Sequence, residues 1–287
     1  MSRKHPHNFV PFRENDTHEA EICTGDAAPT ANPKAPRIAA SNTPTSDNTQ
    51  TPTRGVAKRE REARSMWRSA SAVCLDVDST VCVDEAIDEL AAFLGKGEEV
   101  AALTRQAMSD GTCFRTALER RLNVLKPSRL QIQSYRRQNP PKLTPGVKEL
   151  VGELQKRNVS VFLVSGGFTS IILDVARLLN IDEENVYANV IHFNEAGEYE
   201  GFDESQPTSD SGGKARVCQM LKSKFGFGTL VMVGDGATDM EASPPADAFI
   251  GFGGNQVRTA VKAGAPWYVT SFKELQEELQ AQNGIHY

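Results

Sequence analysis

The stretch AVCLDVDST, residues 72–80, decides the fold that we predict for this chain. It opens with an apolar run, 72–76, of the short length expected for a strand that is buried on both faces of a sheet. Asp76 and Asp78 end this strand, and side chains two positions apart on an extended chain point to the same face. Ligands of open α/β sheets bind beyond the carboxyl ends of the strands, so we expect a functional site here.

Further apolar runs with the composition of buried strands cover residues 159–165, 229–235, 248–251 and 267–269. Helical patterns separate them. In the clearest one we predict Thr144 as the N-cap and Pro145 as the first helical residue, followed by an apolar stripe within 147–154. Strands that alternate with helices are joined by right-handed crossovers, which predicts a doubly wound α/β fold with a parallel sheet.

Two segments interrupt this alternation. Residues 85–141 show only helical patterns, which predicts a helical cap inserted after the first strand. Residues 187–202 have the pattern of a β-hairpin.

The N-terminal segment is rich in Ser, Thr, Asn and Pro, so we predict that 1–65 is a disordered tail or, alternatively, a targeting segment. The α/β catalytic core is then predicted to consist of 66–84 and 142–287.

Composition and charge exclude several classes of function. The 287 residues carry a net charge of −5, which gives no electrostatic reason to expect nucleic acid or an anionic membrane as a partner. The longest apolar run, 159–164, is far shorter than the ~20 residues that span a bilayer. The five cysteines form no CxxC pair, which favours a reducing compartment over a disulfide framework. We predict a cytoplasmic monomer or homodimer, with a plastid or another organelle as the alternative compartment.

Carboxylates near the strand ends indicate a metal ion. Two close carboxylates such as Asp76 and Asp78 repel each other unless a cation joins them. A hard divalent ion with oxygen ligands, such as Mg²⁺, would do so, and Asp235 in the stretch GDGATD (234–239) is the natural third ligand. Outside the first 18 residues and the last two, the only histidine is His192, which makes a histidine-built zinc site improbable.

Two other features indicate an anion. The stretch Ser165-Gly166-Gly167 leads into a helical pattern, and the N-terminus of a helix binds anions through free backbone amides. Lys214 follows a Gly-Gly pair and opens another helical pattern, although a cation there opposes the helix macrodipole. This position makes sense if an anion lies in front of the lysine. The alternative is a lysine whose amine reaches water.

Four motifs resemble those of the haloacid dehalogenase superfamily of phosphohydrolases: DVDST at 76–80, SGG at 165–167, Lys214, and GDGATD at 234–239. The resemblance continues over roughly residues 66–282, and the sequence of residues 67–85 resembles the plant and algal branch of the family. It implies a Rossmannoid α/β core with a helical cap. It also implies Mg²⁺-dependent hydrolysis of O-phospho-L-serine, the final step of serine biosynthesis.

The resemblance implies a role for each motif. Asp76 would be the nucleophile that forms an aspartyl phosphate, and Asp78 would act first as general acid and then as general base. Mg²⁺ would be held by the Asp76 side chain, the Asp78 backbone carbonyl and Asp235, with Asp239 supporting these ligands. The phosphate group would be held by Ser165, Gly166, Gly167 and Lys214.

Substrate choice is implied to rest on the cap and its surroundings. Arg121, with help from Arg258, would bind the substrate carboxylate, and Glu85 would bind its ammonium group. Met108 and Thr238 would line the serine side of the pocket. From the sequence alone, Glu85 can equally be an acid in the first turn of a helix, and Met108 a core residue.

Other functions stay open at this point. The same core could pass its phosphoryl group to another alcohol, such as homoserine, or could hydrolyse another small phosphomonoester. A module that only binds a phosphorylated ligand is a third hypothesis, although all four motifs keep their reactive groups. Ser109 and Ala86 stand where the family commonly has Gly, and both bear on the choice of substrate.

Overall fold

The computed structural model describes residues 54–281, apart from the side chains of Arg54 and Met108. Its eight strands, in chain order, are β1 Ala72–Leu75, β2 Ser160–Phe168, β3 Val186–Asn189, β4 Ile191–Phe193, β5 Tyr199–Phe202, β6 Leu230–Gly234, β7 Ala248–Phe252 and β8 Trp267–Val269. Six of them form one sheet in the order β3-β2-β1-β6-β7-β8, with every neighbouring pair parallel. Strands β4 and β5 pair as a separate antiparallel hairpin. The predicted doubly wound α/β fold is confirmed.

The helices of the described residues are α1 Arg54–Arg68, α2 Ala86–Phe93, α3 Gly97–Asp110, α4 Phe114–Leu125, α5 Arg129–Gln138, α6 Val147–Lys156, α7 Thr169–Leu178, α8 Gly213–Phe225, α9 Ala237–Met240, α10 Thr259–Gly264 and α11 Phe272–Ala281. Between β1 and β2 the chain forms helices α2 to α6 and no strand longer than a single bridge pair. The division of the chain into a core and a cap at residues 85 and 141 stays a prediction.

Alternate residues of β1 face two different hydrophobic cores. Val73 and Leu75 pack with the apolar stripe of α6, while Ala72 and Cys74 pack with α8. All four β1 residues are buried, as expected for a central strand covered on both sides. From β1 the chain moves to β2 on one side, and β6 later joins on the other side. The strand order therefore reverses beside β1, and this is where such folds bind ligands.

Two predicted element boundaries were wrong. The N-cap of α6 is Gly146, with φ of 85°, because Pro145 and Gly146 form a turn before the helix. Thr144 instead donates its hydroxyl to the carbonyl of Thr80, 2.7 Å away. The first part of the predicted hairpin belongs to β3 of the main sheet, and the hairpin itself begins at Ile191. Short apolar runs carry no signal that separates an edge strand from a hairpin arm.

The tail predicted for residues 1–65 falls mostly outside the described residues, but its last part was wrong. Helix α1 begins at Arg54 and buries Trp67, whose indole donates a hydrogen bond to the carbonyl of Leu275. Arg64 and Arg68 both form ion pairs with Glu278. The segment is too polar to predict an ordered element, and packing of one narrow stripe on the core supplies the missing stabilisation.

Within the described part of the chain, no helix is both long and apolar enough to cross a membrane. Cys74 lies in β1 and is fully buried. The neighbouring thiol of Cys218, together with burial, raises the pKa of Cys74 well above its ordinary value, so this thiol is not a reactive group.

Candidate active site

A cavity of about 830 Å³ opens where β1 and β6 end, beneath helices α3 and α4. It collects most of the side chains and glycines that the sequence singled out: Asp76, Asp78, Glu85, Arg121, Gly166, Gly167, Lys214, Asp235, Thr238, Asp239 and Arg258. Ser165 is fully buried and does not line the cavity. Met108 lies in α3, and its side chain is not described.

A tight turn after β1 aims the first motif into the cavity. Ser79 adopts a left-handed backbone conformation, with φ of 55°, in the middle of this turn. The side-chain amide of Asn255 donates to the carbonyl of Ser79 at 3.1 Å and to the hydroxyl of Thr144 at 2.7 Å. Asn255, which follows β7, thereby ties the turn after β1 to the segment that precedes α6. Sequence reasoning missed this residue, and its only signal was the preceding pair of glycines.

Lys214 lies between two buried carboxylates. Its ammonium group is 2.7 Å from Oδ1 of Asp76 and 2.6 Å from Oδ1 of Asp239. Burial alone would lower the pKa of Lys214, but the two carboxylates raise it above its ordinary value, so the amine stays charged. The alternative of a lysine that reaches water is therefore wrong. The lysine does face anions, and in this structure they are side chains of the protein.

Asp78 is held by two hydrogen bonds. Its Oδ1 accepts from the amide of Ala86 at 2.7 Å, and its Oδ2 accepts from the hydroxyl of Ser165 at 3.1 Å. Burial raises the pKa of Asp78 above its ordinary value even though both bonds act to lower it. A carboxyl group with a raised pKa is suited to give a proton to a departing oxygen. Phosphate binding by Ser165 stays a prediction, because its hydroxyl is directed at Asp78.

The site has a set of ligands that fits a hard divalent cation. One carboxylate oxygen from each of Asp76, Asp235 and Asp239 lies within 4.8 Å of the others, and all three residues are buried. Lys214 and Arg258 supply only two positive charges to these three carboxylates. Burial and the negative charge of Asp239 raise the pKa of Asp76 well above its ordinary value, which an added cation would reverse.

Asp239 is closer to this ligand set than the sequence predicted. The resemblance placed it behind the metal ligands, yet its carboxylate belongs to the group of three. Its Oδ2 accepts a hydrogen bond from the amide of Gly236 at 2.9 Å, and its other oxygen contacts Lys214. Gly234 is required here because a Cβ atom at this position would lie 2.3 Å from Cγ of Asp239.

The groups predicted to recognise the substrate differ in how they are paired. Glu85 accepts hydrogen bonds from Ser79 at 2.8 Å and from Arg258 at 3.1 Å. Arg121 uses Nε to bind the carbonyl of Ala117 and has no carboxylate within 4 Å among the residues that the structure describes. Burial lowers the pKa of Arg121. A half-buried guanidinium that lines a cavity without an ion-pair partner is suited to bind a carboxylate.

Gly166 and Phe114, which both line the cavity, form a close contact that the sequence did not reveal. A Cβ atom on Gly166 would lie 2.8 Å from Cζ of Phe114, the first residue of α4. The carbonyl of Gly166 accepts a hydrogen bond from the side chain of Asn189 at 2.8 Å. The contact of Phe114 with the second motif depends on the tertiary structure, because the two residues are 52 positions apart in the sequence.

The parallel α/β sheet and the acidic site at its carboxyl edge together indicate the protein class of this chain. The family model for haloacid dehalogenase-like hydrolases matches residues 70–247. A phosphoserine phosphatase from Bos taurus is 58% identical over 75% of this chain and 95% of its own length. The chloroplastic phosphoserine phosphatase of Arabidopsis thaliana is 48% identical over 75% of this chain and 74% of its own length.

Solved structures agree with these relatives. A phospho-aspartyl intermediate analogue of phosphoserine phosphatase is 25% identical, with a TM-score of 0.63, over 72% of this chain and 98% of that chain. The chain belongs to the phosphoserine phosphatase family of haloacid dehalogenase-like hydrolases.

Proposed function

We propose that this chain hydrolyses O-phospho-L-serine to L-serine and phosphate through an aspartyl phosphate on Asp76, and that this reaction is the final step of serine biosynthesis. The observation that carries the proposal is that one cavity presents an acidic nucleophile, the carboxylate of Glu85 and the guanidinium of Arg121, which forms no ion pair within residues 54–281. These groups match the phosphate, the ammonium and the carboxylate of a phosphorylated amino acid.

The chemistry needs two proton transfers. In the first step an oxygen of Asp76 attacks phosphorus, the bond from phosphorus to the serine oxygen breaks, and Asp78 gives that oxygen a proton. In the second step Asp78 takes a proton from water, which attacks the phosphorus and releases phosphate and the Asp76 carboxylate. Lys214 orients Asp76 and favours its ionised form, and it would balance the charge of the phosphoryl group.

A magnesium ion fits the acidic group described above. Asp76, Asp235 and the backbone carbonyl of Asp78 would hold it, and Asp239 would support it from beside Lys214. When bound, the ion would supply positive charge to the phosphoryl oxygens. Gly166 and Gly167 line the same cavity, where the amide of Gly166 would donate to these oxygens, while the amide of Gly167 donates to the hydroxyl of Ser165.

The test is phosphate release from L-O-phosphoserine, with Mg²⁺ and with EDTA, by the intact protein and by Asp76→Asn. We expect turnover only with Mg²⁺ and Asp76 both present. Phosphate trapped on an added alcohol such as homoserine, rather than released, would identify a phosphotransferase. Tight binding of phosphoserine without turnover would identify a binding module.

Substrate choice is tested separately by Arg121→Ala. We expect the KM for phosphoserine to rise at least tenfold, because a charge-assisted hydrogen bond contributes about 1.5–3 kcal/mol. An unchanged KM would remove the support for a substrate carboxylate at this position.

The compartment also stays a prediction: the Arabidopsis relative is named as chloroplastic, and a fluorescent protein fused behind residues 1–65 would report any targeting.

A further inference from the structure

Arg258 joins the two halves of the site. Its Nε lies 2.6 Å from Oδ2 of Asp235, and its Nη2 lies 3.1 Å from Oε1 of Glu85. Asp235 belongs to the acidic group that suits a metal ion, and Glu85 faces the place proposed for the substrate ammonium. The guanidinium group of Arg258 therefore neutralises one carboxylate of the proposed metal site and the carboxylate of the proposed ammonium site at the same time.

The partners of this ion pair differ in burial. The side chain of Asp235 is 3% exposed, whereas that of Arg258 is 36% exposed. A buried carboxylate needs a compensating cation at all times, but a long side chain with access to solvent can turn away at modest cost. Lys214 has no such freedom, because it is buried between Asp76 and Asp239. Arg258 is thus the one of these two cations that can be exchanged.

We propose that Arg258 is an exchangeable counter-ion, which neutralises Asp235 until a divalent cation replaces it and then turns to the carboxylate of the substrate. This inference rests on the proposed function, because it takes the metal and the substrate from there. The guanidinium is already within reach of Glu85, so a short movement brings it beside the amino-acid end of the ligand.

The exchange couples two binding events. Binding of the cation releases Arg258 from Asp235 and makes it available to a carboxylate. By linkage, a ligand with a carboxylate that engages Arg258 must favour cation binding by the same factor. L-Serine is a suitable probe, because it carries the ammonium and carboxylate groups and has no phosphoryl group to be transferred or to contact the cation.

The experiment measures Mg²⁺ affinity by calorimetry in the wild type, Arg258→Gln and Arg258→Lys. The matched control is Arg64→Gln, since Arg64 has a similar exposure of 33% and also pairs with two carboxylates, those of Glu60 and Glu278. We expect Arg258→Gln to bind Mg²⁺ on the order of tenfold more tightly, because the ion no longer displaces a charge-assisted hydrogen bond. Arg258→Lys should be intermediate, and Arg64→Gln should equal the wild type.

A second measurement tests the coupling. The wild type should bind L-serine more tightly with Mg²⁺ than with EDTA, and Arg258→Gln should lose this gain. The exchange would be overturned if the wild type and Arg258→Gln bound Mg²⁺ with equal affinity. It would also be overturned if Mg²⁺ increased the L-serine affinity of Arg258→Gln as much as that of the wild type. Neither result would contradict phosphoserine hydrolysis. A wild type that binds no Mg²⁺ and releases no phosphate would instead overturn the proposed function, and the exchange with it.

Discussion

The hydroxyl group of Ser165 donates a hydrogen bond to Oδ2 of Asp78 across 3.1 Å. The same hydroxyl oxygen accepts a hydrogen bond from the amide of Gly167 at 2.9 Å. The second motif thus positions Asp78, the proposed proton carrier, and ties it to the backbone of Gly167. Ser165 is a positioning residue in this structure.

The change Ser165→Ala should alter the pH dependence of the reaction. Asp78 must be protonated to serve as the acid, so activity is lost as the pH rises through its pKa. The bond from Ser165 favours the ionised form, and its removal raises this pKa further. The alkaline limb of kcat/KM should therefore move to higher pH, while kcat falls about tenfold. The control is Ser71→Ala, which removes a hydroxyl that donates to the carbonyl of Thr229 at the opposite end of the sheet. This change should alter neither the alkaline limb of kcat/KM nor kcat.

The change Lys214→Met should lower the stability of the metal-free protein. It leaves Asp76 and Asp239 buried without their cation, and breaking a buried ion pair costs about 3–5 kcal/mol. Urea unfolding in EDTA measures the free energy directly. The control is Lys222→Met, whose partly exposed pair with Asp247 is worth about 0–1 kcal/mol. Equal losses in the two variants would contradict the role given to Lys214.

The change Gly166→Ala should push Phe114 out of place. The new methyl group would lie 2.8 Å from the ring of Phe114, so the ring or helix α4 must shift. Arg121 lies two turns further along the same helix and would move with it. We expect kcat/KM for phosphoserine to fall about tenfold or more, since small displacements of binding groups cost that much.

Adding Phe114→Ala should recover part of the activity that Gly166→Ala loses. The double-mutant cycle isolates this contact, because each single change removes or crowds the same pair. Gly152→Ala is the control: no atom lies within 4 Å of its added methyl group, and it lies inside α6. A double variant no better than Gly166→Ala would show that the methyl group interferes elsewhere.

Removal of residues 1–65 should destabilise the protein relative to removal of residues 1–53. The longer deletion takes away Arg64 and most of the helix that presents Trp67 to the core. We expect a loss of about 2–5 kcal/mol, the range for removing a large buried side chain from its packing. Thermal unfolding of the two proteins gives the comparison. Equal melting temperatures would mean that α1 adds no stability.

Much of the site could be predicted from the sequence because it depends on local rules. Buried parallel strands need short apolar runs, and their carboxyl ends meet at one edge of the sheet. The residues after β1, within β2 and after β6 therefore converge whatever the details of packing. Asp76, Asp78 and Asp235 follow from this, as does Lys214 at the start of α8, because periodicity shows where along the chain the strands and helices begin and end.

Tertiary structure alone decided which of these groups touch. The direction of Ser165 toward Asp78, the contact of Phe114 with Gly166 and the support from Asn255 join residues 87, 52 and 176 positions apart. The ion pair of Arg258 with Asp235 likewise depends on where α10 begins. Helix α1 was missed because its sequence is polar, and only a surface elsewhere in the chain makes it ordered. Periodicity reports the burial of a side chain, whereas the identity of its neighbour depends on how distant elements pack.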